Sequence, residues 1–168
     1  LADRALSSTV TQGTYAPGST FKAVTTVAAA REGYDLNGTY PCPADYQVGS
    51  QLFRNFESSG FGPITLARAL EVSCNTVFYR IADEIWLKGG GLFAPVGAPD
   101  PIAETAASFR LGEQTGIDLP NEAAGLVSGR DEKLLVWEQR RETWCADAKE
   151  GFSDLRKENL TLALYYTA

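Results

Sequence analysis

The chain has 168 residues, of which 44% are hydrophobic and 21% charged, so it has the composition of a globular domain rather than of a disordered protein. Its net charge of −6, with no basic stretch longer than Arg140-Arg141, excludes the pattern of a nucleic-acid or anionic-lipid binder and favours a small neutral or peptidic ligand. The sequence contains no histidine, which excludes Ser-His-Asp and Cys-His mechanisms and removes the commonest metal ligand.

The first predicted elements are a helix and a group of short strands. Residues 15–18 have turn composition, and the segment 19–31 is rich in alanine and apolar on every side after Lys22. This pattern predicts a buried helix that ends at Gly33. The segment 34–56 mixes Gly, Pro, Tyr, Val and Phe with polar residues, which predicts short strands or a hairpin.

Two helical patterns follow, one over residues 64–72 after Pro63 and one over residues 76–86. The tripeptide Ser73-Cys74-Asn75 lies at the joint between them. We therefore expect these three residues at a helix–helix connection.

The second half of the chain is less regular. Glycines and prolines in the segment 89–101 predict a loop or linker. After it, we predict a short helix over 102–109, an extended segment over 116–125 and a helix with a charged face over 131–149. The last residues, 165–168, continue an apolar, helix-compatible run without a capping residue, so we expect the chain to be truncated there.

No segment has the pattern of a membrane span or a signal peptide. The longest near-apolar run, residues 23–30, is far shorter than the roughly 20 residues that a span needs. The N-terminus lacks a basic segment that leads into an apolar stretch. Any targeting or anchoring element is therefore expected to lie outside this chain.

Ser19 and Lys22 are the first candidate catalytic pair, and nowhere else in the sequence does a lysine follow a serine by three positions. Residues at this spacing share a helix face, so a poorly solvated amine could act as the base for the serine hydroxyl. The alternative is that Ser19 only caps the helix. A capping box would place Glu or Gln where Lys22 stands, and a cation there opposes the helix dipole, which favours the functional interpretation.

Ser73 and Asn75 form the second candidate, the sole S-x-N in the sequence. Alone, the tripeptide is weak, because either residue is also a common helix cap. Presented toward a Ser-Lys pair, a hydroxyl and a carboxamide would supply a proton relay and a group that binds a substrate peptide bond.

Two longer segments resemble a known family. Residues 15–22 (Y-A-P-G-S-T-F-K) match seven of the eight positions of the Y-P-P-G-S-T-F-K segment that carries the nucleophile of penicillin-binding transpeptidases. Residues 111–122 (L-G-E-Q-T-G-I-D-L-P-N-E) resemble the family's F-G-x-x-T-G-I-D-L-P-x-E segment. The chain therefore resembles, from about residue 4 to 130, the transpeptidase domain of class B penicillin-binding proteins rather than β-lactamases.

The resemblance implies a role for each candidate residue. Ser19 would attack the D-Ala-D-Ala carbonyl of a peptidoglycan stem peptide and form an acyl-enzyme, and Lys22 would take its proton. Ser73 would relay that proton to the leaving D-alanine, and Asn75 would hold the amide of the donor peptide. β-Lactams would acylate Ser19 by mimicking the substrate, and the family uses no metal and no organic cofactor.

The family's fold is α/β (α+β), of the serine β-lactamase-like type, and its active site includes a third motif, K-T-G. No lysine of this sequence is followed by Thr-Gly or Ser-Gly. We therefore expect the helical subdomain to be mostly represented, the sheet that carries K-T-G to be missing, and residues 1–168 to be a partial transpeptidase domain truncated at both ends.

The resemblance also implies a cellular setting. The parent protein would act at the extracytoplasmic face of the bacterial cell membrane, anchored by an N-terminal helix outside this chain. A glycosyltransferase and other cell-wall synthesis proteins would be its partners, with no nucleic acid. Two alternatives stay open: a non-catalytic scaffold module of a cell-wall synthesis complex, and a protein that senses or hydrolyses β-lactams.

The three cysteines form no C-x-x-C pair, so neither a zinc knuckle nor a thioredoxin-type motif is indicated. Cys74 is most simply a small buried side chain. Cys42 and Cys145 could form a disulfide in an oxidising compartment, a pairing that the sequence leaves open.

Overall fold

The computed structural model describes residues 8–150 and the side chains of residues 8–145. Helices dominate this part of the chain, and four short strands form two separate two-stranded antiparallel sheets. The helices are α1 (Lys22–Arg31), α2 (Leu66–Glu71), α3 (Asn75–Lys88), α4 (Pro101–Ser108) and α5 (Arg130–Glu150), with 3₁₀ turns at Gly18–Phe21 and Gly91–Phe93. The strands are β1 (Thr39–Cys42), β2 (Asp45–Val48), β3 (Gln51–Arg54) and β4 (Gly62–Thr65).

The predicted first helix is confirmed, except that its first turn is a 3₁₀ turn. Gly18 opens this turn with a φ of 54°, a conformation that glycine adopts without steric strain. Helix α1 then buries Val24, Ala28 and Ala29 and contacts both α3 and α4. Since alanine side chains are small, they allow these helices to approach closely.

Short strands in the segment 34–56 are also confirmed, but the predicted start of the next helix is wrong. Residues 62–65 form β4, which pairs with β1 and places Ile64 opposite Tyr40. Helix α2 begins only after Thr65, whose side-chain oxygen accepts a hydrogen bond from the backbone N–H of Arg68 at 3.2 Å. The β-branched residues Ile64 and Thr65 therefore continue β4 alongside β1, and Thr65 also caps α2.

The core lies between α3, α2 and β1. Its buried members include residues from α1, β1, α2 and α3, and the disulfide between Cys42 and Cys74 lies inside it. Cys42 therefore does not pair with Cys145, which is a free and exposed cysteine on α5. The buried members are Ala29, Cys42, Leu66, Ala69, Cys74, Val77, Phe78, Ile81 and Ile85.

In the second half of the described chain, α4 and α5 match the predicted helices. The segment 116–125, predicted to be extended, forms a loop without a strand partner among the residues described. Arg130 attaches the start of α5 to α3: its guanidinium lies 3.6 Å from the ring centroid of Trp86 and donates to the Trp86 carbonyl. The predicted truncation after residue 168 lies outside the described residues. No helix in the described part is long and apolar enough to cross a membrane.

Candidate active site

The structure brings the four sequence-predicted site residues into one hydrogen-bonded group around Lys22. Its Nζ lies 3.3 Å from Oγ of Ser19, 2.8 Å from both Oγ and the carbonyl oxygen of Ser73, and 2.6 Å from Oδ1 of Asn75. Oγ of Ser73 lies 3.0 Å from Oγ of Ser19. Two hydroxyls and one amine therefore form a triangle in which a proton can move between any two members.

Lys22 is only 8% exposed, which is unusual for a lysine. Burial lowers the pKa of its amine, and no carboxylate within the described residues forms a salt bridge with it. Its Nζ also lies 5.6 Å from the ring centroid of Phe78. Since the environment disfavours the charged form, Lys22 is suited to act as a base.

The oxygen atoms around Nζ can also be satisfied when the amine is neutral. Four oxygen atoms surround Nζ, and two of them belong to serine hydroxyls, which can donate as well as accept. In the neutral amine, two N–H groups can donate to the Asn75 amide oxygen and the Ser73 carbonyl. The lone pair then accepts a proton from a serine hydroxyl.

Ser73 holds its position through an unusual backbone conformation, with a φ of 54°. It follows the end of α2, where the N–H of Ser73 donates to the Leu70 carbonyl and the N–H of Cys74 donates to the Ala69 carbonyl. This is the Schellman arrangement, in which the left-handed position is usually glycine. A serine in this conformation costs about 1–2 kcal/mol of steric strain that a glycine would avoid. The serine hydroxyl is the group that a glycine could not supply to the site.

Asn75 is the first residue of α3, and its side chain connects two parts of the site. Oδ1 accepts from Lys22, and Nδ2 donates to the carbonyl oxygen of Arg54 at 3.2 Å. The carboxamide is therefore anchored between α1 and the end of β3.

Asn55 is a site-supporting residue that the sequence did not identify. It is 6% exposed, and its Oδ1 accepts from the backbone N–H groups of Asn75 at 2.8 Å and Thr76 at 3.2 Å. Its Nδ2 donates to the carbonyl oxygens of Pro43 at 2.9 Å and Ser59 at 2.7 Å. Asn55 thus caps α3 from a loop about 20 residues earlier in the chain. No local pattern signals such a cap, since cap motifs are recognised within a few residues of the helix.

Ser19, Ser73 and Asn75 line a cleft of about 500 Å³. The loop after β3 also lines it and contributes an almost fully exposed aromatic ring, Phe56, and one carboxylate, Glu57. The cleft exposes the hydroxyl of Ser19 to a ligand while the amine of Lys22 stays buried. This arrangement can carry out acyl transfer through a serine nucleophile without imidazole.

Comparisons with known proteins agree on one family. The family model described as the penicillin-binding protein transpeptidase domain matches residues 2–138. The chain is 32% identical to "Peptidoglycan D,D-transpeptidase MrdA" of Escherichia coli K12 over 134 residues, which is 78% of this chain but 18% of that relative. The chain therefore spans about a fifth of the length of the relatives that it matches.

Solved structures show the same likeness. PBP2 of Pseudomonas aeruginosa, in complex with WCK 5153, is 27% identical, with a TM-score of 0.64 over 84% of this chain and 29% of that chain. PBP2 of Helicobacter pylori, in complex with MreC, is 30% identical, with a TM-score of 0.61 over 74% of this chain and 22% of that chain. The small antiparallel sheets and the helices described above are thus part of a penicillin-binding α/β fold.

The family profile, the relatives and the shared fold agree with the class B resemblance of the sequence. The chain belongs to the transpeptidase domain family of penicillin-binding proteins, as a class B member.

Proposed function

We propose that this chain carries the nucleophile-bearing part of a peptidoglycan D,D-transpeptidase that β-lactams acylate. The observation that carries the proposal is the triangle of Ser19 Oγ, Lys22 Nζ and Ser73 Oγ, with sides of 3.3, 2.8 and 3.0 Å. The proposal assigns Ser19 as nucleophile, Lys22 as base, Ser73 as proton relay and Asn75 as substrate-binding residue.

In the first half-reaction, Oγ of Ser19 attacks the carbonyl carbon between the two D-alanines of a stem peptide. Its proton passes to the neutral amine of Lys22, directly or through the hydroxyl of Ser73. The C–N bond then breaks, and the leaving D-alanine amine takes a proton from Ser73, which Lys22 replaces. The product is an ester between Ser19 and the shortened peptide.

In the second half-reaction, an amine of an acceptor peptide attacks the ester carbonyl and restores the serine hydroxyl. Lys22 and Ser73 remove the proton of the attacking amine and return one to Oγ of Ser19. The backbone N–H of Ser19 is the proposed first oxyanion donor, and such a donor contributes roughly 10²–10³ in rate. In the family that the sequence resembles, the second donor would lie on the K-T-G strand, a motif that this sequence lacks.

The disulfide supports an extracytoplasmic location. Disulfides persist in oxidising compartments and are rare in the cytosol, and the Cys42–Cys74 bond is buried next to the site. We place the protein at the outer face of the bacterial cell membrane, with anchoring outside this chain. The Helicobacter pylori relative binds MreC, and we propose a partner of this kind, together with a glycosyltransferase.

Labelling of the full-length protein with a fluorescent penicillin tests the proposal. We expect covalent labelling that the Ser19→Ala variant loses. Labelling that is absent, or equal in both proteins, would contradict a serine transpeptidase and favour a scaffold module. Rapid release of the label from Ser19 would instead identify a β-lactam-hydrolysing protein.

A further inference from the structure

The loop after β3 and the cysteine at the end of β1 both attach to the turn that carries Ser73 and Asn75. The side chain of Asn55 makes four hydrogen bonds with oxygen and nitrogen partners, two with N–H groups of α3 and two with carbonyls of flanking loops. All four partners are backbone groups. Asn55 therefore fixes the main chain around Asn75 and Thr76 rather than another side chain.

The disulfide makes a second, covalent attachment to the same turn. Cys74 lies between the two motif residues, and its partner Cys42 ends β1. The two attachments meet, since Nδ2 of Asn55 lies 3.5 Å from Sγ of Cys42. Oγ1 of Thr76 lies 3.3 Å from Sγ of Cys74 and donates to the carbonyl of Pro43 at 2.8 Å.

The turn needs this support, because Ser73 adopts a left-handed conformation that disfavours a residue with a side chain. Lys22 relies on the turn for three of its four oxygen contacts, the carbonyl and hydroxyl of Ser73 and the amide oxygen of Asn75. A shift of about 1 Å in a catalytic group can cost about 10²-fold in rate.

We propose that Asn55 and the Cys42–Cys74 disulfide form a positioning clamp that holds Ser73 and Asn75 against Lys22 for acyl transfer. The inference rests on the proposed function of the same site. In this proposal, the clamp acts through the turn that carries Ser73 and Asn75.

The chemistry of Asn55 fits this role better than that of other capping residues. Aspartate could accept from the two N–H groups of α3, but it has no N–H group to donate to the carbonyls of Pro43 and Ser59. A carboxylate beside Asn75 would also stabilise the ammonium form of Lys22, and so weaken the base. The amide of Asn55 caps α3 without a charge, and Glu57 is the only carboxylate among the described residues that line the cleft.

The test uses the full-length protein and measures the second-order rate constant of acylation by a fluorescent penicillin across pH, with thermal unfolding alongside. Asn55→Ala is expected to lower the rate constant at least tenfold. Asn55→Asp keeps an acceptor for the N–H groups of α3 but loses both donors, so it is also expected to lower the rate constant. Its charge should move the acidic limb of the pH profile upward by about one unit. Asn37→Ala, at an exposed asparagine outside the site, is the matched control and should leave both measurements unchanged.

The outcomes separate the two hypotheses. If the wild-type protein shows no Ser19-dependent labelling, the proposed function fails. If wild-type labelling is normal and folded Asn55→Ala acylates at the wild-type rate with only a lower melting temperature, the clamp is merely structural and the inference is overturned. Should Asn55→Ala fail to fold, the folded Asn55→Asp variant decides: a wild-type rate constant with an unchanged acidic limb overturns the inference. In a Cys42→Ser/Cys74→Ser variant, an unchanged rate constant excludes the disulfide from the clamp.

Discussion

The hydroxyl oxygens of Ser19 and Ser73 lie 3.0 Å apart, although 54 residues separate the two serines in the chain. Nζ of Lys22 lies 3.3 Å from Oγ of Ser19 and 2.8 Å from Oγ of Ser73. A relay through Ser73 therefore has two steps, of 3.0 and 2.8 Å, and each is shorter than the direct transfer over 3.3 Å. In the proposed mechanism, we therefore expect the proton to pass through the Ser73 hydroxyl.

Replacing Ser73 tests this relay and its strained backbone together. Both Ser73→Ala and Ser73→Gly remove the hydroxyl, so both are expected to lower the acylation rate constant by about 10²–10⁴. Only glycine relieves the left-handed strain, so Ser73→Gly should be the more stable variant, by up to about 1 kcal/mol after its unfolded-state entropy is subtracted. Stopped-flow acylation and chemical denaturation give the two quantities. Similar acylation by Ser73→Ala and the wild type would contradict the relay.

The lowered pKa of Lys22 predicts a pH dependence of acylation. In the proposed mechanism the neutral amine is the active form, so the rate should rise with pH through the pKa of Lys22, with a midpoint below 10.5. Lys22→Arg should lose the reaction throughout, because a guanidinium stays protonated. Lys88→Ala, at an exposed lysine paired with Glu32, is the control and should keep the wild-type profile. A pH-independent rate would exclude Lys22 as the base.

The same pKa shift predicts a pH dependence of stability. Between the lowered pKa and 10.5 the unfolded chain binds a proton at Lys22 that the folded chain does not. The contribution of Lys22 to the free energy of unfolding is therefore complete above 10.5 and falls as pH decreases through the lowered pKa. Denaturation of the wild type and Lys22→Met across this range should show a difference that grows in favour of the wild type as pH rises. A constant difference would contradict the shift.

How much of this site could be predicted depended on the sequence distance between its parts. Ser19 and Lys22 are three residues apart, so helical spacing alone indicated their contact. Ser73 and Asn75 could be joined to them only through the resemblance to a family. Asn55 and the Cys42–Cys74 pairing were missed, because a cap and a disulfide between distant segments depend on tertiary packing that local patterns do not encode.

The wrong helix start at Pro63 has a similar cause. Residues 62–65 are compatible with a helix when read alone, but β1 supplies a partner strand and its hydrogen bonds. The helix prediction was right where α1 and α3 are long and their apolar pattern is continuous. Local preference therefore predicted these helices correctly, whereas the conformation of residues 62–65 depends on pairing with β1.

Loss of the disulfide should lower stability. Cys42 and Cys74 are separated by 32 residues, and a loop of this length corresponds to about 3–4 kcal/mol in the chain-entropy treatment. The Cys42→Ser/Cys74→Ser variant should therefore unfold at lower denaturant concentration. Cys145→Ser removes the free, exposed cysteine and should match the wild type. Equal unfolding midpoints for the double variant and the wild type would contradict this expectation.

Glu122 should control the order of the loop that precedes it. Its carboxylate accepts from the hydroxyl and N–H of Thr115 and from the N–H of Gly116, and these hydrogen bonds lower its pKa. The contribution of Glu122 to the stability of the loop is therefore present above pH 4.5 and is lost as pH falls through the lowered pKa of Glu122. Glu122→Gln should speed amide hydrogen exchange at residues 115 and 116, whereas Glu113→Gln should not. Unchanged exchange in Glu122→Gln would show that the loop is ordered by other contacts.

The 168-residue chain by itself should acylate far more slowly than the full-length protein. The chain spans only 18% of its Escherichia coli relative, and it contains no K-T-G for the second oxyanion donor. Side-by-side labelling with one fluorescent penicillin at several concentrations yields the two second-order rate constants. Equal constants would show that residues 1–168 suffice.

The sequence distance between Lys22 and its partners on the Ser73 turn has a practical consequence. Lys22 and Ser73 are 51 residues apart, so the amine loses its desolvated surroundings whenever α1 and α3 separate. An opened molecule then presents an ordinary lysine and an inert alcohol. Under the proposed function, a covalent β-lactam probe should therefore label native molecules only, so the labelled fraction can report the folding yield during refolding.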